Sequence, residues 1–406
     1  MRSLFFLTIA AALAAFVSPA SAAQYQVLHQ FNGSSGDGAI PHAGLLEDAT
    51  GNFYGTTFSG GGGNGCSGGS GCGTVFELAS DGTETVLYRF TGGSDGANPS
   101  AELIKGKHGV FYSTTVTGGT GAACGGGCGT VFKVTLGGTE QVVYSFQGGS
   151  DGATPTGIVA DSAGNLYGTS FFGGGSGCSG YGCGTVFKVT PDGTESVLYR
   201  FPDGANGRGP SPGLIFDQLG NLYGTAGGGG GICNCGLIFK IDPSGVQTVL
   251  YAFAGGSGDG NAPAAGLVAD AAGNLYGTTE FGGGTGCNGL GCGTVFRLAP
   301  NGAEKILHAF TGGTDGEYPL ARLIVDKKGN LYGTTSHGGD IGFGTVFRLS
   351  VDKTLTVLHA FGSIEQDGAN PRAPLIRDGR YLYGTTPDIN FSCDGGACGT
   401  IFKVRK

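Results

Sequence analysis

The stretch NLYGTTEFGGGTGCNGLGCGTVFRL, residues 274 to 298, has the pattern of two β-strands separated by a glycine-rich loop that contains Cys287 and Cys292. Its opening phrase, GNLYGTT or a close variant, occurs seven times in the chain. The tyrosines of these phrases stand 51 to 58 residues apart, at Tyr54, Tyr112, Tyr167, Tyr223, Tyr276, Tyr332 and Tyr383. Self-similarity at this period indicates a repeat architecture of seven units.

Each unit contains four segments with the pattern of a β-strand. In the unit that includes the quoted stretch, these segments are residues 266–270, 274–279, 293–298 and 304–310. Asn301-Gly302 lies between the third and the fourth segment and is a strong hairpin signal. Four antiparallel strands, repeated at about 55 residues, are typical of a propeller blade. The sequence therefore predicts an all-β fold: a seven-bladed β-propeller with four-stranded blades.

The two ends of the chain predict how the ring closes. Residues 25–31 (YQVLHQF) match a fourth strand without the three that should precede it, and residues 399–404 (GTIFKV) match a third strand without a fourth. If the N-terminal strand completes the last blade, no sheet edge is left unpaired at the junction. An open solenoid would gain nothing from this arrangement, so we expect a closed ring.

The first 22 residues have the pattern of a secretory signal peptide: an apolar run followed by the small residues Ala20-Ser21-Ala22. A retained membrane anchor is the weaker alternative, because about 15 apolar residues are too few for a span of about 20. We expect residues 23–406 to form a single secreted domain, extracellular or periplasmic and monomeric, with no later membrane span. The chain stops at FKVRK, so no C-terminal anchor is expected either.

The composition narrows the class of partner. The formal net charge is −8 and only 13% of the residues are charged, whereas 88 are glycine. Nucleic acid is excluded as a partner, because a phosphate-binding surface must be basic. Abundant glycine suits a β-protein with many tight turns, since glycine readily adopts positive φ angles. An extracellular protein or glycan remains as the expected partner.

The strand phrases also carry a resemblance to known proteins. GLIFDQLGNLYGTA (213 to 226) and GLIFKIDPSG (236 to 245) resemble the strands of NHL-type propellers. The whole of residues 23–406 is similar to the GloVer tandem-repeat family of secreted bacterial proteins, in which these phrases recur. The resemblance implies a propeller, secretion and, in many members, a C-terminal surface anchor. It implies no established activity and no catalytic residues.

Twelve cysteines lie between the second and third strands of their units, and unit six has none. In a secreted chain, an even number of locally paired cysteines indicates disulfides. A zinc site is the alternative, but the spacing within the pairs varies too much for one. The one-residue spacer of the fourth pair leaves open whether its cysteines bond to each other. The pairs are Cys66 and Cys72, Cys124 and Cys128, Cys178 and Cys183, Cys233 and Cys235, Cys287 and Cys292, and Cys393 and Cys398.

Every loop between units contains an Asp-Gly step, and the seven aspartates are expected on the same face as the cysteine loops. One interpretation is a cation ring, for which Ca²⁺ is the candidate cofactor because it prefers oxygen ligands. The favoured alternative is that each carboxylate caps its own turn by accepting backbone N–H bonds. The residues are Asp37, Asp95, Asp151, Asp203, Asp259, Asp315 and Asp367.

Polar residues that break the repeat are the better candidates for a site. Unit six replaces the cysteine loop with SHGGDIGF (336 to 343), so His337 and Asp340 are predicted to form an interaction site on the loop face. A solvated histidine in a shortened loop is the plain alternative. Further unrepeated polar residues near this face are His42, Glu280, Glu317, Arg208 and Arg372.

Three histidines, His29, His308 and His359, take the tyrosine position of the fourth strand and are interpreted as packing residues rather than ligands. Neither a nucleophile nor a carboxylate pair can be placed from spacing alone. The favoured function is a non-catalytic protein-binding or glycan-binding scaffold. The alternative is a metal-dependent propeller hydrolase or lactonase that acts at the channel mouth. The chain lacks tryptophan, which makes a glycan a less favoured ligand than a protein.

Overall fold

The computed structural model describes residues 24–33, 36–62, 66, 70–364, 367–389 and 399–406. In these residues seven antiparallel sheets follow one another around a central channel, which confirms the predicted seven-bladed propeller. We number the blades 1 to 7 along the chain and name their strands A to D from the channel outward. The predicted signal peptide, Cys393 and Cys398 lie outside the described residues.

Strands A to D of the first three blades are built as follows. Blade 1 has Leu46–Glu47, Phe53–Thr57, Thr74–Leu78 and Glu84–Arg89. Blade 2 has a divided strand A, Ala97–Pro99 and Ile104–Lys105, and then Val110–Thr117, Thr130–Thr135 and Glu140–Ser145. Blade 3 has Ala153–Ala160, Leu166–Phe172, Thr185–Val189 and Glu195–Arg200.

Blades 4 to 6 repeat the order. Blade 4 has a divided strand A, Arg208–Pro210 and Ile215–Phe216, then Leu222–Gly228, Leu237–Ile241 and Gln247–Ala252. Blade 5 has Val268–Ala269, Leu275–Thr279, Thr294–Leu298 and Glu304–Ala309. Blade 6 has Ile324–Val325, Leu331–Thr335, Thr345–Leu349 and Leu355–Ala360.

Blade 7 takes strands from both ends of the chain. Ile376–Asp378, Tyr381–Thr386 and Gly399–Arg405 form strands A to C, and Tyr25–Phe31 forms strand D. In the antiparallel pairing of the last two, Val27 lies opposite Phe402. The N-terminal strand therefore closes the ring, as the sequence predicts.

Short elements lie outside these sheets. Three two-stranded ribbons join Gly38–Ala39 to Ser59–Gly60, Gly260–Asn261 to Phe281–Gly282, and Gly368–Ala369 to Asp388–Ile389. Three 3₁₀ turns span Cys178–Gly180, Gly204–Asn206 and Cys287–Gly289. Within the described residues no helix is long and apolar enough to cross a membrane.

Phenylalanines join neighbouring blades. The phenylalanine after strand D of blade 4, Phe253, contacts Phe296 of strand C in blade 5 edge to face, with ring centroids 5.2 Å apart. Each such aromatic pair contributes about 0.5–1.5 kcal/mol beyond its buried area. Equivalent pairs occur at all seven junctions: Phe31 with Phe76, Phe90 with Phe132, Phe146 with Phe187, Phe201 with Phe239, Phe310 with Phe347, and Phe361 with Phe402.

This packing explains the glycine of the LYGT phrase. A Cβ at Gly277 would lie 2.6 Å from the Phe296 ring, closer than non-bonded carbon atoms can approach. The glycine leaves room for the ring and lets the phenylalanine bury completely. The repeated phrase is therefore the packing unit of the blades.

Candidate functional site

One end of the propeller carries the B–C loops with their cysteines and the D–A loops that connect successive blades. We call this end the loop face. Five D–A loops rest on the cysteine loop of the blade before them: the Asn98 N–H donates to the Cys72 carbonyl at 2.8 Å, and the Tyr318 N–H donates to the Cys292 carbonyl at 2.9 Å, for example. After blade 6, which has no cysteine loop, the Asn370 N–H donates to the Phe343 carbonyl at 2.8 Å. The two kinds of loop therefore share a face, as predicted, and support each other.

Five of the six predicted cysteine pairs form disulfides inside their own loops. The two cysteines of the fourth pair, whose pairing the sequence left open, also bond to each other. The pairs are Cys66–Cys72, Cys124–Cys128, Cys178–Cys183, Cys233–Cys235 and Cys287–Cys292.

The seven aspartates of the proposed cation ring lie at separate junctions between blades. Each accepts a backbone N–H bond of its own loop: Asp95 from Thr91 at 2.8 Å and Asp151 from Gln147 at 2.7 Å, for example. Asp203 accepts from Gly204 at 2.8 Å, beside Arg208. The described residues contain three groups of three potential metal ligands, and none of these groups contains two of the aspartates. This geometry agrees with the turn-capping alternative.

His337 and Asp340 occupy different surroundings in blade 6. The His337 ring lies 3.0 Å from the Ser336 hydroxyl and meets the Tyr318 ring edge on, and its backbone pairs with Glu317. Asp340 is exposed and lines a depression of about 620 Å³ that His359 also lines. Their role as an interaction site stays a prediction.

Arg372, at the channel mouth, influences one polar residue from each of two other blades. Burial, and then the nearby charge of Arg372, lowers the pKa of His42 to about 4. Burial raises the pKa of Glu280, and Arg372 opposes that rise. His42 is therefore neutral at neutral pH, and Arg372 supplies the positive charge at this mouth.

An ion pair crosses the channel, whose cavity measures about 300 Å³ and is lined by all seven blades. Arg322 Nη2 in blade 6 lies 2.9 Å and 3.1 Å from the two carboxylate oxygens of Glu102 in blade 2. Other blades place Gly44, Gly157 or Gly213 at this position. The sequence analysis did not predict this pair. The signal was present, because two units carry opposite charges at a position where other units carry glycine.

A second cavity opens on the loop face between blades 3, 4 and 5. This loop-face cleft has a volume of about 550 Å³. Phe171 and Phe172 form one wall with 44% and 38% of their surface exposed, and their rings meet edge to face at 4.8 Å. Tyr181, 72% exposed, continues this aromatic edge beside Phe172.

The cleft is open because two positions at the end of strand B in blade 4 lack side chains. Gly227 and Gly228 occupy the two positions that hold Phe171 and Phe172 in blade 3. Arg208 and Glu280 complete the lining and give the cleft one group of each charge. The signal in the sequence was present: the two residues after the GTT phrase vary from unit to unit.

Comparison with known proteins identifies the family. Residues 15–180, 66–291 and 285–406 match the Gloeobacter/Verrucomicrobia repeat, and together they span nearly the whole chain. The chain belongs to the Gloeobacter/Verrucomicrobia repeat family. This confirms the resemblance seen in its strand phrases. None of the curated proteins matches this family member significantly in sequence.

Solved structures similar to this Gloeobacter/Verrucomicrobia repeat protein share its fold at low identity. The extracellular domain of a protein assigned to the one-component systems of B. thetaiotaomicron has a TM-score of 0.55 at 10% identity, over 91% of this chain and 38% of that one. PorZ, a surface component of the type-IX secretion system of Porphyromonas gingivalis, has a TM-score of 0.51 at 14% identity, over 88% and 46%.

A gluconolactonase from Xanthomonas campestris has a TM-score of 0.39 at 16% identity, over 67% of this chain and 78% of that one. The chain spans less than half the length of the first two proteins. The likenesses to these two proteins, whose TM-scores exceed 0.5, agree with the propeller fold.

Proposed function

We propose that this protein is a secreted, non-catalytic scaffold that binds a segment of an extracellular protein in the loop-face cleft. The observation that carries the proposal is the exposed pair Phe171 and Phe172 in a cleft that Gly227 and Gly228 also line. Aromatic side chains beside a pocket are the usual anchors of protein interfaces, because they bury a large apolar area at little entropic cost.

The charges and the frame of the cleft support this function. Arg208 and Glu280 can orient a bound peptide through its own charged groups. The disulfide Cys178–Cys183 lines the cleft and keeps its loop ordered, which lowers the entropic cost of binding. Disulfides of this kind form in oxidising compartments, which agrees with secretion.

The hydrolase or lactonase alternative has less support from the geometry. It requires acidic groups that converge at the channel mouth. Glu102, the acidic side chain in the channel lining, is already bound to Arg322, and the loop aspartates bind their own turns. A glycan remains the second ligand class, but the chain has no tryptophan to act as a sugar platform.

Filling the cleft tests the proposal. A Cβ at Gly227 would meet nothing closer than 3.8 Å, so Gly227→Leu should fold normally and project into the cleft. The parent protein should enrich specific sequences from a displayed random-peptide library, and Gly227→Leu should not. A Phe171→Ala/Phe172→Ala variant should bind the enriched peptides at least about 30-fold more weakly, the loss expected for a hot spot of about 2 kcal/mol.

The matched control is Leu219→Ala, which removes an exposed apolar side chain (80% exposed) from the opposite end of the propeller. This variant should bind as the parent does. Peptide binding that survives Gly227→Leu would place the site elsewhere. Binding on a glycan array, with no peptide enriched, would replace the protein ligand with a glycan.

A further inference from the structure

Three side chains occupy equivalent positions at the outer end of every junction between blades. The first comes from strand D of one blade, the second is the aspartate of the D–A loop, and the third begins strand D of the next blade. We call this group the outer junction. From blades 7/1 to 6/7 its members are His29, Asp37 and Glu84; Tyr88, Asp95 and Glu140; Tyr144, Asp151 and Glu195; Tyr199, Asp203 and Gln247; Tyr251, Asp259 and Glu304; His308, Asp315 and Leu355; and His359, Asp367 and Tyr25.

The outer junction of blades 1 and 2 represents the commonest design. The Tyr88 hydroxyl donates to Asp95 at 3.0 Å. Burial, and then the charge of Asp95, raises the pKa of Glu140 to about 7. The glutamate is therefore partly protonated at neutral pH. The tyrosine hydroxyl donates its hydrogen bond to the aspartate. The tyrosine and the aspartate satisfy each other, while Glu140 Oε1 is buried without a hydrogen-bond partner.

The outer junction of blades 7 and 1 differs because a histidine replaces the tyrosine while the glutamate is kept. One ligand atom each of His29, Asp37 and Glu84 lie within 4.8 Å of one another. His29 Nε2 is 3.8 Å from Asp37 Oδ1, too far for a hydrogen bond. Both His29 Nε2 and Glu84 Oε1 are buried without a hydrogen-bond partner.

The two other junctions that contain a histidine do not share this arrangement. His308 and His359 lie 3.2 Å and 3.0 Å from their aspartates, within hydrogen-bond distance. Their third members cannot act as a carboxylate ligand: Leu355 is apolar, and Tyr25 stacks on the His359 ring at 3.6 Å. Of the seven outer junctions, all within the described residues, the first therefore combines an imidazole with two carboxylates.

We propose that His29, Asp37 and Glu84 bind a divalent transition-metal ion of the zinc type. One imidazole and two carboxylates are a ligand set that Zn²⁺ accepts, whereas Ca²⁺ prefers oxygen ligands throughout. A metal ion would satisfy the two buried atoms that otherwise lose their hydrogen bonds to water. Backbone N–H bonds from Asn32 and Gly38, 2.8 Å and 2.7 Å long, already orient the Asp37 carboxylate and leave it free lone pairs.

The position of the site gives it a structural consequence. His29 lies on the N-terminal strand that completes blade 7, and Glu84 lies on the outer strand of blade 1. A metal ion bound to both residues would link blade 7 to blade 1. The ring closes in blade 7, whose strands come from both ends of the chain. Because the ligands come together in the folded state, the ion stabilises the closed ring by mass action.

The seven-fold design provides the matched variants for a test. His29→Tyr installs the residue that other blades have at this position, so it should fold normally and lose the site. Tyr88→His assembles the same three side chain types at the next junction, with Asp95 and Glu140, and should gain one. Calorimetric titration of the untagged protein with Zn²⁺ near neutral pH should give one equivalent for the parent, none for His29→Tyr and two for Tyr88→His.

Thermal unfolding gives a second readout. Zn²⁺ should raise the unfolding temperature of the parent and leave that of His29→Tyr unchanged, and Glu84→Gln should show the same loss as His29→Tyr. An unchanged zinc equivalent in His29→Tyr would overturn the assignment, as would a parent protein that binds no zinc. Tyr88→His without an added equivalent would overturn the inference that these three side chains are sufficient.

Discussion

Blades 5 and 6 pair their strands in the same register, with Leu275 opposite Leu298 in one and Leu331 opposite Leu349 in the other, yet they hold their B–C loops in different ways. In blade 5 the disulfide Cys287–Cys292 lies against Gly312 of the D–A loop, where a Cβ would be 2.8 Å and 2.9 Å from the two sulfur atoms.

In blade 6 the same space is filled by hydrophobic side chains. A Cβ at Gly362, the equivalent glycine, would lie 2.5 Å from Phe343 and 2.6 Å from Ile341. Phe343 takes the sequence position of Cys292, directly before the GTVF phrase. The comparison shows that a disulfide and an apolar pair can do the same work, which is to anchor the loop tip on the D–A loop. The missing disulfide of unit six therefore has a packing explanation.

The outer strands of these blades differ in one half-buried side chain. Strand D begins with Glu304 in blade 5 and with Leu355 in blade 6, each paired with the end of strand C. Burial, and then the charge of Asp259, raises the pKa of Glu304 to about 7. The charge state of blade 5 at this position depends on pH, and that of blade 6 does not.

Removal of the apolar anchor of blade 6 should have the largest effect on the stability of the protein. Phe343→Ala should lower the free energy of unfolding by about 3 kcal/mol, the lower end of the range for a phenylalanine truncated in a packed site, because Phe343 is half-buried. Urea unfolding measures the loss. The conservative variant Phe343→Leu should lose less than about 1.5 kcal/mol. Equal stability of the parent and Phe343→Ala would mean that the loop needs no anchor.

Removal of the blade 5 anchor should have a smaller effect. Cys287→Ser/Cys292→Ser opens a ring with a sequence separation of 5 residues, and a ring this short contributes about 2 kcal/mol through the entropy of the unfolded chain. Urea unfolding of this variant should show that loss, and adding Phe343→Ala should give a summed loss, since the two loops are independent. A loss much greater than the sum would show that neighbouring loops depend on each other.

The smallest expected difference concerns pH. The folded-state pKa of Glu304 lies above its ordinary value of 4.5, so the folded protein binds this proton more tightly than the unfolded chain does. The stabilisation is complete below about pH 4.5 and is lost as the pH rises through about 7, with a size of about 1 kcal/mol after allowance for solvent screening.

Glu304→Leu copies blade 6 and should remove this share of the pH dependence. Urea unfolding of the parent and the variant at acidic and alkaline pH measures it. A parent and a variant that lose the same stability between these conditions would show that Glu304 titrates normally in the folded protein.

Local repetition made the fold predictable. The phrases around Tyr276 and Phe296 recur every 51 to 58 residues, and each copy encodes the same strand, with the packing glycine in every copy except that of blade 2, which has Ser113. The orphan strand 25–31 predicted closure because an unpaired edge is unfavourable in any β-fold. The cysteine loops were predictable for the same reason, since both partners lie a few residues apart.

The sites were not predictable in this way, because they join residues that are distant in the chain. Glu102 and Arg322 are 220 positions apart and meet only across the channel. Phe171, Gly227 and Glu280 belong to three blades, and their individual departures from the repeat do not reveal a common cleft. His29 was interpreted as a packing residue, and its approach to Glu84 depends on ring closure.

The sequence by itself determined the number of blades, the strand order and the positions of the loops, because these follow from hydrophobic patterns and turns within each unit of about 55 residues. Only the tertiary structure decided which unrepeated side chains face one another. The curvature of the ring sets the distances between blades, and those distances depend on aromatic packing such as that of Phe253 on Phe296 rather than on any local pattern.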